Sequence, residues 1–115
     1  DNALDRIRNT VYHEMGHHIH SMKSHTPARR VQFGENKYPL NGILQAYRPY
    51  IKNNLDLQCS RYSTTDPYEW FAENFALYLQ GETKRMNEEA LKLIKAIDEN
   101  KNLKDAGLII KESEI

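Results

Sequence analysis

Apolar side chains recur at intervals of three and four residues along the first part of the chain. The members of this series are Leu4, Ile7, Val11, Met15, Ile19 and Met22. An α-helix completes one turn every 3.6 residues, so this spacing places the series on one helix face. We therefore predict a helix from Asn2 to about Ser24 that packs this face against a core, with Asp1 or Asn2 as its N-cap. Helical geometry is unfavourable before proline, and Pro27 predicts that the helix ends shortly before it.

The middle of the chain has weaker patterns. Residues 27–40 include two prolines and a glycine, which predict a loop with at most one short strand at Val31–Phe33. A second helix is predicted from Asn41 to Leu55, with Pro49 as the point where it can break. Residues 56–65 are polar and predict a second loop.

Two later helices have clear start and stop signals. Asp66 followed by Pro67 predicts an N-cap and a first helical residue, and this third helix should end near Gly81. Apolar residues at three-residue spacing predict a fourth helix from about Asn87 to Glu99. The predicted fold class is therefore mainly α (α+β at most), with little or no β-sheet.

Length and composition limit the kind of protein that this chain can be. Its 115 residues have room for a single domain spanning residues 1–115, in which stretch 107–110 predicts a strand or an extension docked on the core. Sixteen basic and sixteen acidic side chains cancel, so no basic excess indicates nucleic acid or an anionic membrane as partner. No apolar run is long enough to span a bilayer and no signal peptide is visible, which leaves the compartment unknown. Because the chain begins with Asp1, we expect it to be excised from a longer parent chain, whose remainder is a candidate partner.

A pair of histidines on the first predicted helix has the spacing of a metal site. The stretch Val11–His18 contains the pattern His-Glu-x-x-His at His13, Glu14 and His17. Residues four apart lie one above the other on a helix, so both imidazoles can bind one tetrahedral zinc ion. Glu14 lies at the next angular step, where it can act as a general base in metal-assisted hydrolysis without being a ligand. A histidine-rich helix can also match this pattern by chance.

The remaining histidines and the one cysteine make weaker candidates. His18, His20 and His25 are predicted to be surface or packing residues, although His20 remains an alternative ligand because it lies nearest the metal-binding face. Gly16 costs about 1 kcal/mol relative to alanine inside a helix, and it predicts the close approach of another backbone or of a substrate. Cys59 is the only cysteine, which excludes an internal disulfide and a cysteine-based zinc site.

The histidine pair needs a third ligand, because a catalytic zinc ion keeps three protein ligands and one open position. Two carboxylates on the predicted third helix, Glu69 and Glu73, are candidates, and they are four residues apart. The small side chains of Ala72 and Ala76 lie on the same face and would let this helix lie close to the first. In the alternative interpretation, Glu69 completes a capping box with Asp66, and Glu73 is an exposed helix carboxylate.

Two stretches, Val11–His18 and Tyr62–Phe75, give the chain a family resemblance. It resembles the gluzincin zinc metallopeptidases, most closely the group of the anthrax lethal factor catalytic domain and the Pro-Pro endopeptidases, and similar cassettes occur in phage-encoded proteins associated with minor head proteins. The resemblance implies that Glu69 is the third zinc ligand. It also implies that Tyr62, seven residues earlier, stabilises the transition state. Glu73, four residues after the ligand, would support a zinc-bound histidine.

The function implied by the resemblance is zinc-dependent hydrolysis of a peptide bond in a polypeptide substrate. Zinc held by His13, His17 and Glu69 would activate water. Glu14 would take the proton of that water and later pass it to the leaving amine. Tyr62 and the zinc ion would together stabilise the tetrahedral oxyanion.

One departure from the family concerns the β-sheet that precedes the active-site helix in zincins and binds the substrate as an added strand. Only twelve residues precede His13. We therefore expect a minimal zincin-like helical domain, in which this sheet is missing or is replaced by Val31–Phe33 and the tail. A second hypothesis is a non-catalytic zinc-binding structural or docking module of a phage or toxin protein. A third is a plain helical interaction domain with a fortuitous motif.

Overall fold

The computed structural model describes residues 2–115, which form five α-helices and one β-hairpin. The elements are α1 (Asn2–His25), β1 (Val31–Phe33), β2 (Asn36–Tyr38), α2 (Leu40–Ala46), α3 (Arg48–Asn53), α4 (Pro67–Leu79) and α5 (Glu88–Asp98). Short 3-10 turns connect several of them. The predicted mainly α fold with little β-sheet is confirmed. The predicted Asp1 cap lies outside the described residues, and Asn2 is the first helical residue rather than a cap.

The start signals in the sequence locate the later helices correctly. The Asp66 side chain accepts hydrogen bonds from the backbone N–H groups of Tyr68 and Glu69, which makes it the N-cap of α4 as predicted. The predicted second helix is divided at Tyr47 into α2 and α3, and Pro49 is the second residue of α3. Proline fits there because the N–H group that it lacks has no partner in the first turn of a helix.

The β-hairpin contains more strand than the sequence predicted. Strands β1 and β2 are antiparallel, with Val31 opposite Tyr38, whereas one strand at most was predicted. The tight connection requires Gly34, whose φ of 66° is in the left-handed region. Strand β2 carries no apolar alternation, but the Glu112 carboxylate accepts hydrogen bonds from Asn36 and Tyr38 and ties the strand to the tail.

The core lies between α2, α3, α4, α5 and the tail. Its largest fully buried apolar and aromatic side chains are Trp70, Tyr47, Phe71, Leu40, Ile43, Leu44, Leu93, Ile94 and Leu103. One buried carboxylate, Glu89, accepts hydrogen bonds from the Tyr47 hydroxyl and from the backbone N–H of Ile109. The tail is thus docked on the core through Leu103, Ile110 and this carboxylate, and residues 107–110 form no strand. Among residues 2–115, no helix combines the length and the apolar character needed to cross a membrane.

The predicted core-facing side of α1 is a clear error of the sequence interpretation. Four apolar residues that we call the exposed stripe have 45–61% of their surface accessible; they are Leu4, Ile7, Val11 and Met15. Of the six residues in the series, Ile19 is partly buried and packs against the core. Helix α1 instead turns the face that carries Gly16 toward α4, because a glycine lets the two backbones come together. Hydrophobic spacing predicted the helix correctly and its buried face incorrectly.

Candidate metal centre

Helices α1 and α4 lie side by side in antiparallel orientation. The side chains of Asn9 and Gln80 hydrogen-bond at 3.0 Å at one end, and the rings of His20 and Tyr68 stack with centroids 4.7 Å apart at the other. Between these ends the two helices reach their closest approach at Gly16. A Cβ atom at this position would lie 2.9 Å from Ala72 Cα and 3.3 Å from the Cβ atom of Phe75. The predicted close approach of a second backbone at Gly16 is therefore confirmed.

The close approach brings three predicted ligands together. His13 Nε2 lies 3.1 Å from His17 Nε2 and 2.9 Å from Glu69 Oε2, and His17 Nε2 lies 3.1 Å from Glu69 Oε1. Their ligand atoms all lie within 4.8 Å of one another, which makes this group one that could hold a metal ion. The side chains are only 15%, 32% and 18% exposed for His13, His17 and Glu69. Two helices that are distant in sequence thus point three donor atoms at one location.

The arrangement of the three donor atoms suits the ligands of a cation better than it suits hydrogen bonds among the three residues. Glu69 Oε2 is buried and makes no hydrogen bond, although His13 Nε2 is 2.9 Å away. Buried polar atoms without a partner are rare because their desolvation is not compensated. Ligand atoms bound to zinc at 2.0–2.1 Å in a tetrahedron lie about 3.3 Å apart, close to the separations found here. Two imidazole nitrogens and one carboxylate also match the donor set of catalytic zinc sites.

Glu73, predicted to support a zinc-bound histidine, lies beside His13 at a longer distance than Glu69. Its Oε2 atom is 3.9 Å from His13 Nδ1, the ring nitrogen that faces away from the cluster. This separation exceeds that of a hydrogen bond. The structure therefore places Glu73 beside His13 without the predicted hydrogen bond.

Tyr62 lies at the margin of the cluster, on the 3-10 turn Tyr62–Thr64. Its ring centroid is 6.0 Å from that of His13, and the side chain is 54% exposed. The turn is anchored by Ser63, whose fully buried hydroxyl donates to the backbone carbonyl of Ser60. The negative charge of Glu69, and then burial of the hydroxyl, raise the pKa of Tyr62 above its ordinary value. The phenol therefore remains a hydrogen-bond donor at neutral pH.

Glu14 follows His13 on α1 and is exposed. It does not belong to the three-residue cluster. The structure thus brings His13, His17 and Glu69 together, with Tyr62 and Glu73 beside them.

The other histidines occupy the positions predicted for surface or packing residues. His18 and His25 are exposed. His20 hydrogen-bonds the Asn41 side chain and stacks on Tyr68, and burial lowers its pKa. It does not join the three-residue cluster. Sequence reasoning missed Asn41 and Tyr68 as partners of His20, because Asn41 lies on a different element and carries no local signal.

Comparison of the chain with protein-family models, with curated proteins and with solved structures found no match. The functional assignment therefore rests on the residues and geometry of the site.

Proposed function

We propose that this chain is a zinc metallopeptidase domain that hydrolyses peptide bonds. The observation that carries the proposal is the convergence of His13, His17 and Glu69 around a buried Glu69 oxygen that makes no hydrogen bond. In a three-ligand site a fourth position stays open, which favours a catalytic zinc ion over a closed structural one. A bound zinc ion acts as a Lewis acid that lowers the pKa of water to about 7 and polarises a carbonyl group.

Glu14 supplies the proton transfer in this proposal. As the residue after His13, it is next to the ligands on the helix but does not belong to the cluster itself. Its exposed carboxylate accepts a proton from the attacking water and then donates it to the leaving amine. A carboxylate suits both steps because its oxygen can accept a proton in the first step and release it in the second.

Tyr62 and Glu73 have supporting roles. The Tyr62 hydroxyl donates a hydrogen bond to the oxyanion that develops on the substrate carbonyl. Glu73 orients the His13 ring from its Nδ1 side, so that Nε2 faces Glu69.

The direct test is metal content together with peptide turnover, measured on wild type and on two histidine variants. His17→Ala removes a ligand, and His18→Ala removes an exposed neighbouring histidine as the matched control. We expect about one zinc per wild-type chain after reconstitution, a similar value for His18→Ala, and loss of both zinc and turnover in His17→Ala. Equal zinc contents in both variants would contradict the ligand assignment.

A second candidate function is a non-catalytic metal-binding module of a phage or toxin protein. It is favoured by one observation: within residues 2–115 the only sheet is the two-stranded hairpin of β1 and β2. Such a small sheet offers little surface for an extended substrate. Stoichiometric zinc without turnover of casein or of a peptide library, in wild-type protein, would support this candidate and exclude the peptidase.

A further inference from the structure

A second polar feature lies away from the metal centre, in a groove of about 800 Å³. The groove is formed by the end of α1, the segment after it, the hairpin, and the residues at the end of α5. Its cationic lining residues are Lys23, Arg29, Arg30 and Lys37. Lys23, Arg29 and Arg30 lie within eight residues of the chain, and the fold adds Lys37 from strand β2.

These four cations lack acidic partners. Within residues 2–115, the ion pairs are those of the histidine cluster and that between Lys101 and Glu99, and none includes a cation of the groove. Asp98 is the one acidic residue of the lining, and its Oδ2 accepts a hydrogen bond from the Tyr78 hydroxyl at 2.7 Å. The groove therefore has an excess of three positive charges in a protein whose formal charge is zero.

The crowding of like charges has an energetic consequence. Burial, and then the charge of Arg29, lower the pKa of Lys23. A protein surface normally mixes charges of both signs, and an unpaired cluster destabilises the compact state by repulsion. An anion in the groove would remove this repulsion and would be bound by several cations at once.

We propose that this groove binds an acidic segment of a polypeptide through Lys23, Arg29, Arg30 and Lys37. Guanidinium groups bind carboxylates through two parallel hydrogen bonds, and two of the four cations are arginines. The lining contains no aromatic side chain on which a nucleic-acid base could stack. Short clustered carboxylates thus fit the groove better than a nucleic acid does.

Fluorescence anisotropy with a labelled hexa-aspartate peptide tests the proposal on the intact chain. We expect saturable binding that weakens with added salt, and none for a hexa-asparagine peptide of the same length. The double variant Arg30→Gln/Lys37→Gln should bind about tenfold more weakly, since each exposed ion pair contributes up to about a factor of five. The matched control Lys92→Gln/Lys95→Gln removes the same charge from exposed positions on α5 and should bind like wild type.

Three outcomes would overturn the proposal. They are equal weakening in both double variants, binding of hexa-asparagine with similar affinity, and tighter binding of a single-stranded oligonucleotide than of hexa-aspartate. All altered residues in the double variants are exposed, so the fold should persist. Matching thermal unfolding curves would establish that a loss of binding reflects the lost charges.

Discussion

The two faces of α1 have opposite chemistry and opposite surroundings. The face toward α4, which we call the ligand face, carries His13, Gly16 and His17 and is largely covered. The exposed stripe lies on the other side and is apolar. In an ordinary amphipathic helix the apolar face would be buried and the polar face would meet water. Helix α1 reverses this arrangement.

The reversal has an energetic cost on both faces of the helix. Each residue of the exposed stripe forgoes about 1 kcal/mol of apolar burial, judged from its half-exposed side chain. The ligand face places imidazoles and a carboxylate in a confined space, which costs desolvation free energy unless a partner compensates it. Zinc binding contributes about 10–16 kcal/mol in small zinc-dependent domains, more than the whole stripe forgoes. A metal ion bound there, as proposed above, would compensate this cost and favour the burial of the ligand face.

Among substitutions in α1, a change at Glu14 is expected to have the largest effect on turnover. Glu14→Gln keeps the size of the side chain but removes the proton acceptor. Turnover should fall by about 10²- to 10⁴-fold, the usual contribution of general base catalysis, while zinc content stays unchanged. Peptide-cleavage rates and metal analysis on the same sample check this. An active Glu14→Gln variant would remove Glu14 from the mechanism.

Tyr62→Phe should have the next largest effect. Loss of one hydrogen-bond donor to an oxyanion typically lowers the rate constant by about 10²- to 10³-fold. Because this charge exists only in the transition state, kcat should fall and KM should change little. Tyr62 is half-exposed, so thermal unfolding should be nearly unchanged. A destabilised variant with normal turnover would instead identify Tyr62 as a packing residue.

The two glutamates of α4 should differ in their effect on metal affinity. Glu69→Ala removes a ligand and should prevent stable zinc binding. Glu73→Ala should weaken zinc binding by about 10- to 100-fold, the usual cost of losing a group that orients a ligand. Competition with a chelator of known affinity measures both. If Glu73→Ala released the metal and Glu69→Ala retained it, Glu73 and not Glu69 would be the third ligand.

The sequence predicted local features of this protein better than its tertiary contacts. The histidine pair, the Asp66 cap and the close approach at Gly16 could be predicted because each depends on residues near one another in the chain or on one unusual residue. The exposure of the stripe could not be predicted, because spacing defines a helix face without indicating which face is covered. Strand β2 was missed because it carries no apolar alternation, and the Glu112 side chain that ties it to the tail is far away in sequence. The His20–Asn41 hydrogen bond was missed for the same reason.

Gly16→Ala should moderately destabilise the packing of α1 against α4. The added methyl group would meet the Ala72 backbone at 2.9 Å, so the helices must separate. Overpacking costs about 1–3 kcal/mol, and the gain in helix propensity recovers about 1 kcal/mol of this. We expect a net loss of up to about 2 kcal/mol in the free energy of unfolding, and weaker zinc binding. Gly42→Ala is the matched control, because its new Cβ would make only an ordinary 3.4 Å contact with Ile115, and it should stabilise the protein slightly.

The smallest effect is expected on the exposed stripe. Ile7→Ser removes an apolar side chain that is 61% exposed, and surface changes of this kind alter the free energy of unfolding by about 0.5 kcal/mol or less. Leu93→Ala, in the fully buried core, should cost about 2–5 kcal/mol in the same urea titration. The contrast between the two variants tests whether the stripe faces solvent in the folded chain. A loss above about 2 kcal/mol for Ile7→Ser would mean that this face of α1 is buried, and the reversed helix would then be wrong. An unchanged free energy of unfolding would mean that α1 packs against the rest of the fold through its ligand face.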